Sequence, residues 1–137
     1  METLRIPILQ IEDFLVASVQ TALHDRAAMR FKDDLLQRIH ETKARGLLLD
    51  LTALDVVDSF LAKLTGDIAE MAALMGTTVV VTGLQPAVAM ALVELGVELR
   101  GVMTALNLEK GIRTLRLYRV AGEALPRDPV RGEQAHA

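Results

Sequence analysis

The amino-acid sequence predicts an α/β fold: one domain in which a small mixed β-sheet is flanked by about four α-helices. Three observations lead there. Segments with apolar residues every three or four positions alternate with short aliphatic runs through the middle of the chain, the pattern of helices interleaved with strands. Two of those runs, Leu47 to Leu51 and Thr77 to Thr82, are apolar or β-branched at nearly every position, as strands covered on both faces of a parallel sheet are. The length of 137 residues suits one domain with a real core, and 51% hydrophobic with 24% charged residues is the balance of a folded chain.

Each element follows from local pattern. Ile6 to Ile11 and Phe14 to Val19, separated by Glu12 and Asp13, have the spacing of a two-stranded hairpin, and Pro7 confines the first strand to a sheet edge. From Arg26 to Ala44, Phe31, Leu35, Leu36 and Ile39 share one helical face opposite Lys32, Asp33, Gln37, Arg38 and Glu41, with Gly46 as the expected stop. The strand Leu47 to Leu51 leads through a loop, Thr52 to Asp58, into a helix from Ser59 to Met75 on which Phe60, Leu64, Ile68, Met71 and Met75 recur, ending at Gly76. A buried strand from Thr77 to Thr82 closes at Gly83. Pro86 suits the first position of the next helix, with Val88, Leu92 and Leu95 inward and Gly96 as its end. Val102 to Ala105 reads as a short last strand, and Leu108 to Tyr118 as a helix that turns Leu108, Ile112 and Leu115 inward. From Arg119 the apolar period is gone, and Pro126 and Pro129 suggest a disordered tail, so the domain is expected over residues 4–118 and the tail over 119–137.

Composition removes several function classes. With one Tyr, three Phe and no Trp, stacking platforms for single-stranded nucleic acid are nearly excluded. A net charge of −3 with acids and bases interleaved offers no basic stripe for a phosphate backbone. The absence of cysteine rules out disulfides, thiolate metal sites and thiol nucleophiles. Residues 1–11 lack the pattern of a secretory signal, and no apolar run approaches the roughly 20 residues of a membrane span. A cytoplasmic location is the expectation.

Few residues carry chemistry. His24, His40 and His136 match no metal-binding spacing, and no glycine-rich phosphate loop is present. Asp50, Asp55 and Asp58 lie at or beyond the carboxyl end of a buried strand, where α/β sheets place their sites, and such a trio can hold Mg²⁺. The simpler account is favoured: Asp50 ends the strand, Asp55 sits in a solvated turn, and Asp58 caps the following helix. The chain holds only two serines, Ser18 within a strand and Ser59 where loop meets helix. A serine there can be an N-cap, and the same geometry seats a phosphate, because free N–H groups and the helix dipole favour a dianion.

The stretch Leu49-Asp50-Leu51-Thr52-Ala53-Leu54-Asp55-Val56-Val57-Asp58-Ser59-Phe60 resembles the core of STAS domains, the fold of anti-sigma-factor antagonists. The likeness is strongest to the branch of small single-domain scaffolds of the bacterial stressosome. It extends to Ile6-Pro7-Ile8-Leu9, Asp34-Leu35-Leu36, Glu41-Thr42, Leu74-Met75-Gly76, Thr82-Gly83-Leu84-Gln85-Pro86-Ala87-Val88-Ala89 and Glu94-Leu95-Gly96, covering Leu4 to Leu117. The resemblance implies a non-enzymatic phosphoswitch without cofactor, in which Ser59 is phosphorylated by an RsbT-type serine kinase. It further implies assembly with RsbR-type STAS paralogues, self-association, and resetting by an RsbX-type phosphatase. The implied partner surface comprises Asp55, Asp58, Ser59, Phe60 and Lys63. Many antagonists follow the serine with Ser and Gly, whereas Phe60 and Leu61 follow here, which favours the stressosome branch. Two other readings stay open: an antagonist that binds an anti-sigma kinase directly and, more distantly, a small Mg²⁺-dependent enzyme built on Asp50, Asp55 and Asp58.

Overall fold

Among the described residues, the elements in chain order are β1 (Ile8–Ile11), β2 (Phe14–Ser18), α1 (Asp25–Thr42), β3 (Gly46–Asp50), α2 (Ser59–Leu74), β4 (Thr78–Thr82), α3 (Pro86–Glu94), β5 (Val102–Ala105) and α4 (Leu108–Ala124). The computed structural model describes residues 6–19, 25–54, 57–97, 99 and 101–124.

The strands form one sheet in the order β1-β2-β3-β4-β5. β1 pairs antiparallel with β2, and the remaining pairs are parallel, so the sheet is mixed as expected. β1 follows Pro7 and lies at the edge, where a residue without an N–H costs no ladder bond. β3 and β4 sit inside, with both faces covered. Leu47, Leu49, Val79 and Val81 enter the larger core with α1 and α2, while Leu48 and Val80 join Phe14, Val16 and Leu115 of α4 on the opposite face. α3 packs at the side of this arrangement, where Val88 and Leu92 meet Ala62 of α2.

Several local expectations are corrected. α1 ends at Thr42, where Lys43 adopts a left-handed backbone (φ 56°) and donates its N–H to Ile39 O at 2.9 Å. Gly46, expected as the stop, is the first residue of β3 and leaves room for α4: a Cβ there would stand 2.8 Å from Leu115 Cδ2. Gly111 serves α4 in the same way, since a Cβ there would come within 2.7 Å of Leu48 Cδ1. Leu95 and Leu108, expected inward, are exposed, as are Met71 and Met75. The face of α2 that is buried consists of Leu61, Ala62, Leu64, Thr65, Ile68, Ala69 and Ala72, so small alanines bring this helix close to the sheet.

α4 runs past Tyr118 to Ala124. The apolar period ends earlier, but no proline intervenes before Pro126 to break the helix. The tail expected beyond falls, from residue 125, outside the described residues, as do Met1 to Arg5.

Candidate functional site

The parallel strands β2, β3 and β4 end side by side, and their register places Ser18, Asp50 and Thr82 in one row across the sheet. Asp50 is the hub of that row. Its Oδ2 accepts from Ser18 Oγ at 2.9 Å, and its Oδ1 accepts from Thr82 Oγ1 at 2.9 Å and from Thr52 Oγ1 at 2.6 Å. Burial pushes the Asp50 carboxyl up, but hydrogen bonds from Thr52, Ser18 and Thr82 outweigh it and hold the group below its ordinary value of 3.8. The sequence favours Asp50 as a strand terminus over a cation ligand, and in the fold it ends β3 with its oxygens engaged by hydroxyls. Neither Ser18 nor Thr82 is signalled by local pattern, because their role depends on register between distant segments.

Beyond Thr52 the chain turns toward α2. Leu54 is buried and donates its N–H to Leu51 O at 3.0 Å, while Asp55 and Val56 lie outside the described residues. Val57 then packs against the core. Asp58 is the N-cap of α2: its backbone is extended (φ −88°, ψ 176°), and its Oδ1 accepts from the Leu61 N–H at 2.8 Å. The capping role thus falls to Asp58, leaving Ser59 as the first residue of the helix proper. Ser59 is exposed. The first N–H groups of an α-helix have no acceptor within the helix, and no acidic residue sits within the first turn of α2. The positive end of the helix dipole therefore opens next to the Ser59 hydroxyl.

Other hydroxyls nearby are differently placed. Thr65 is buried with its Oγ1 donating to Leu61 O at 2.9 Å, and the hydroxyls of Ser18 and Thr52 are donated to Asp50. Phe60 is half-buried against the larger core, so it anchors the helix start more than it offers a contact surface. Lys63 stands one turn beyond Ser59 and pairs with Asp67 at 3.3 Å across an exposed surface. Ser59, Lys63, Asp67 and Glu70 line one side of an open groove of about 390 Å³ whose other side carries Leu95 and Val97. Of the expected contact residues, Asp58, Ser59 and Lys63 are exposed, and Ser59 and Lys63 line the groove together.

His40 is exposed in the last turn of α1, and His24 and His136 lie outside the described residues. Among the described residues no group of His, Asp or Glu is arranged to hold a metal ion, and no helix is long and apolar enough to cross a membrane.

Comparison with known proteins agrees with this fold. The family profile of the STAS domain matches residues 5–114. A serine-to-glutamate variant of RsbS from Moorella thermoacetica is 40% identical, with a TM-score of 0.78 over 84% of this chain and 97% of that one. A chain from a structure of the molecular architecture of the stressosome, described there as a signal integration and transduction hub, is 42% identical. It aligns with a TM-score of 0.75 over 82% of this chain and 98% of its own length. The RsbT co-antagonist protein RsbRA of Bacillus subtilis (strain 168) is 28% identical over 115 residues, and the match covers 83% of this chain but only 42% of RsbRA. The anti-sigma factor antagonist SpoIIAA in its unphosphorylated form shares the fold, with a TM-score of 0.65 at 12% identity.

Proposed function

Because this chain belongs to the STAS domain family, with relatives among the components of the stressosome, we propose that it is a cytoplasmic, non-enzymatic stressosome scaffold that switches on phosphorylation of Ser59. It holds an RsbT-type serine kinase while Ser59 is unmodified and releases it afterwards. It assembles with further copies and with RsbR-type paralogues, and an RsbX-type phosphatase resets it. The observation that carries this reading is the contrast between the two serines: Ser59 is exposed at the first position of α2, whereas the hydroxyl of Ser18 is committed to Asp50.

Release follows from charge. A phosphoserine adds about −1.5 to −2 charges beside Asp58 and in the groove that already holds Asp67 and Glu70. A partner packed there must desolvate that charge among carboxylates, whereas the helix start itself favours it. Incubation with an RsbT-type kinase and ATP, followed by peptide mass mapping, tests the assignment. Phosphate on Ser59 is expected. Phosphate on Thr52 or Thr65 with Ser59 unmodified would overturn it.

A further inference from the structure

The segment that leads to Ser59 is fastened at its start. Thr52, the second residue after β3, donates its hydroxyl to Asp50 Oδ1 at 2.6 Å, and its carbonyl accepts from Gln85 Nε2 at 2.7 Å. Gly83, with a left-handed φ of 74°, lets the chain after β4 lie directly against Thr52: a Cβ at Gly83 would stand 2.8 Å from Thr52 Cα. The loop before α2 and the loop before α3 are therefore joined at Thr52. Val57 and Leu84 each pack against the larger core and against the cluster around α3. Asp50 receives three hydroxyls, but Ser18 and Thr82 belong to strands that their ladders already hold. Thr52 alone of the three lies in the loop that carries the chain to Ser59.

From this geometry we infer that Thr52 is a positioning residue for modification at Ser59: by tying the loop to Asp50 and to the Gly83–Gln85 segment, it holds the Ser59 hydroxyl where a kinase can take it in line. This rests on the reading of Ser59 as the phosphoacceptor. Without the Thr52 hydroxyl the loop gains freedom at its β3 end, while the Asp58 cap keeps α2 itself formed. Transfer of a phosphoryl group depends on alignment, and a displacement of about 1 Å can cost on the order of a hundredfold in rate. The predicted defect is therefore in kcat more than in KM.

Four full-length variants separate positioning from stability. Thr52→Val removes the hydroxyl with little change of shape, Thr52→Ser restores it, and Ser18→Ala and Thr82→Val remove the other two donors to Asp50 without touching the loop. Two measurements are made on each: phosphorylation rates against chain concentration with an RsbT-type kinase, and hydrogen exchange by mass spectrometry over residues 52–62. Thr52→Val should lower kcat by about tenfold or more and speed exchange over 57–61, and Thr52→Ser should recover both. Ser18→Ala and Thr82→Val should lower the melting temperature as Thr52→Val does, yet keep near-normal phosphorylation. Equal slowing by all three hydroxyl deletions, or an unaltered rate in Thr52→Val, would overturn the inference. Should the kinase leave even the wild-type Ser59 unmodified, the phosphoacceptor reading fails by itself. The exchange data still decide the fastening, which unchanged protection in Thr52→Val refutes.

Discussion

Asp50 gathers three hydroxyls from β2, β4 and the following loop, and its loss should be felt throughout the sheet end. Asp50→Ala removes a charged acceptor and leaves partly buried donors without it, a change worth about 1.5–3 kcal/mol per hydrogen bond to a charged group before relaxation; denaturant melts measure it. The carboxyl sits below its ordinary value of 3.8 in the fold, so its stabilisation is fully present above that value. It is lost as pH falls through the lower folded value. Asp50→Asn should therefore flatten the acid limb of the stability profile below about pH 4 while leaving the neutral region less affected than Asp50→Ala. Asp58→Ala removes the bond to Leu61 N and should cost about 0.5–2 kcal/mol, seen as a lowered melting temperature. Asp58 as a cap was legible from its place ahead of an apolar period. The hub at Asp50 was not, because Ser18 and Thr82 become its neighbours only through a register that no local pattern encodes.

Among the helices, α4 carries an arrangement contrary to propensity. Gly111 lies within it, where alanine would ordinarily gain about 1 kcal/mol, yet a Cβ at that position would meet Thr82 Cγ2 at 2.6 Å and Leu48 Cδ1 at 2.7 Å. Gly111→Ala should thus destabilise, by about 1–3 kcal/mol as overpacked cores do, and a thermal melt that rises instead would disprove the close approach. Leu115, 1% exposed, should cost about 2–5 kcal/mol when cut to alanine. Every helix and strand was legible in outline, since period and turn residues mark each one. Which face is buried was read less well on α2. Phe60, Met71 and Met75 make a visible period, but the buried face also includes Ala69 and Ala72 in the larger core and Ala62 against α3, whose small side chains permit proximity without advertising it. At the end of α1, Lys43 adopts the left-handed backbone that glycine usually supplies, so no glycine marks this helix end.

Across the whole molecule, Ser59 stands at the end of the sheet where the parallel strands finish, while the two faces of the sheet are covered unequally. A phosphate on Ser59 lies outside both cores and on a favourable helix end, so the fold should survive it. Circular dichroism melts of phosphorylated and unmodified protein should agree within a few degrees, while kinase affinity falls by about a hundredfold for each 2.7 kcal/mol of lost contact. Ser59→Ala should keep the kinase bound, and Ser59→Asp should release it in part, because one carboxylate brings less charge than a phosphate. The unequal covering has a separate consequence, in the order of synthesis. Residues Phe14, Val16, Leu48 and Val80 face α4 alone among the described helices, and α4 is translated after every strand it covers. At about 5–20 residues per second, a growing chain carries this aliphatic surface bare for seconds, with the first face of the domain already able to close. Ribosome-bound chains halted before Leu108 should therefore recruit chaperones that recognise apolar surface, and chains halted with α4 fully outside the exit tunnel should shed them.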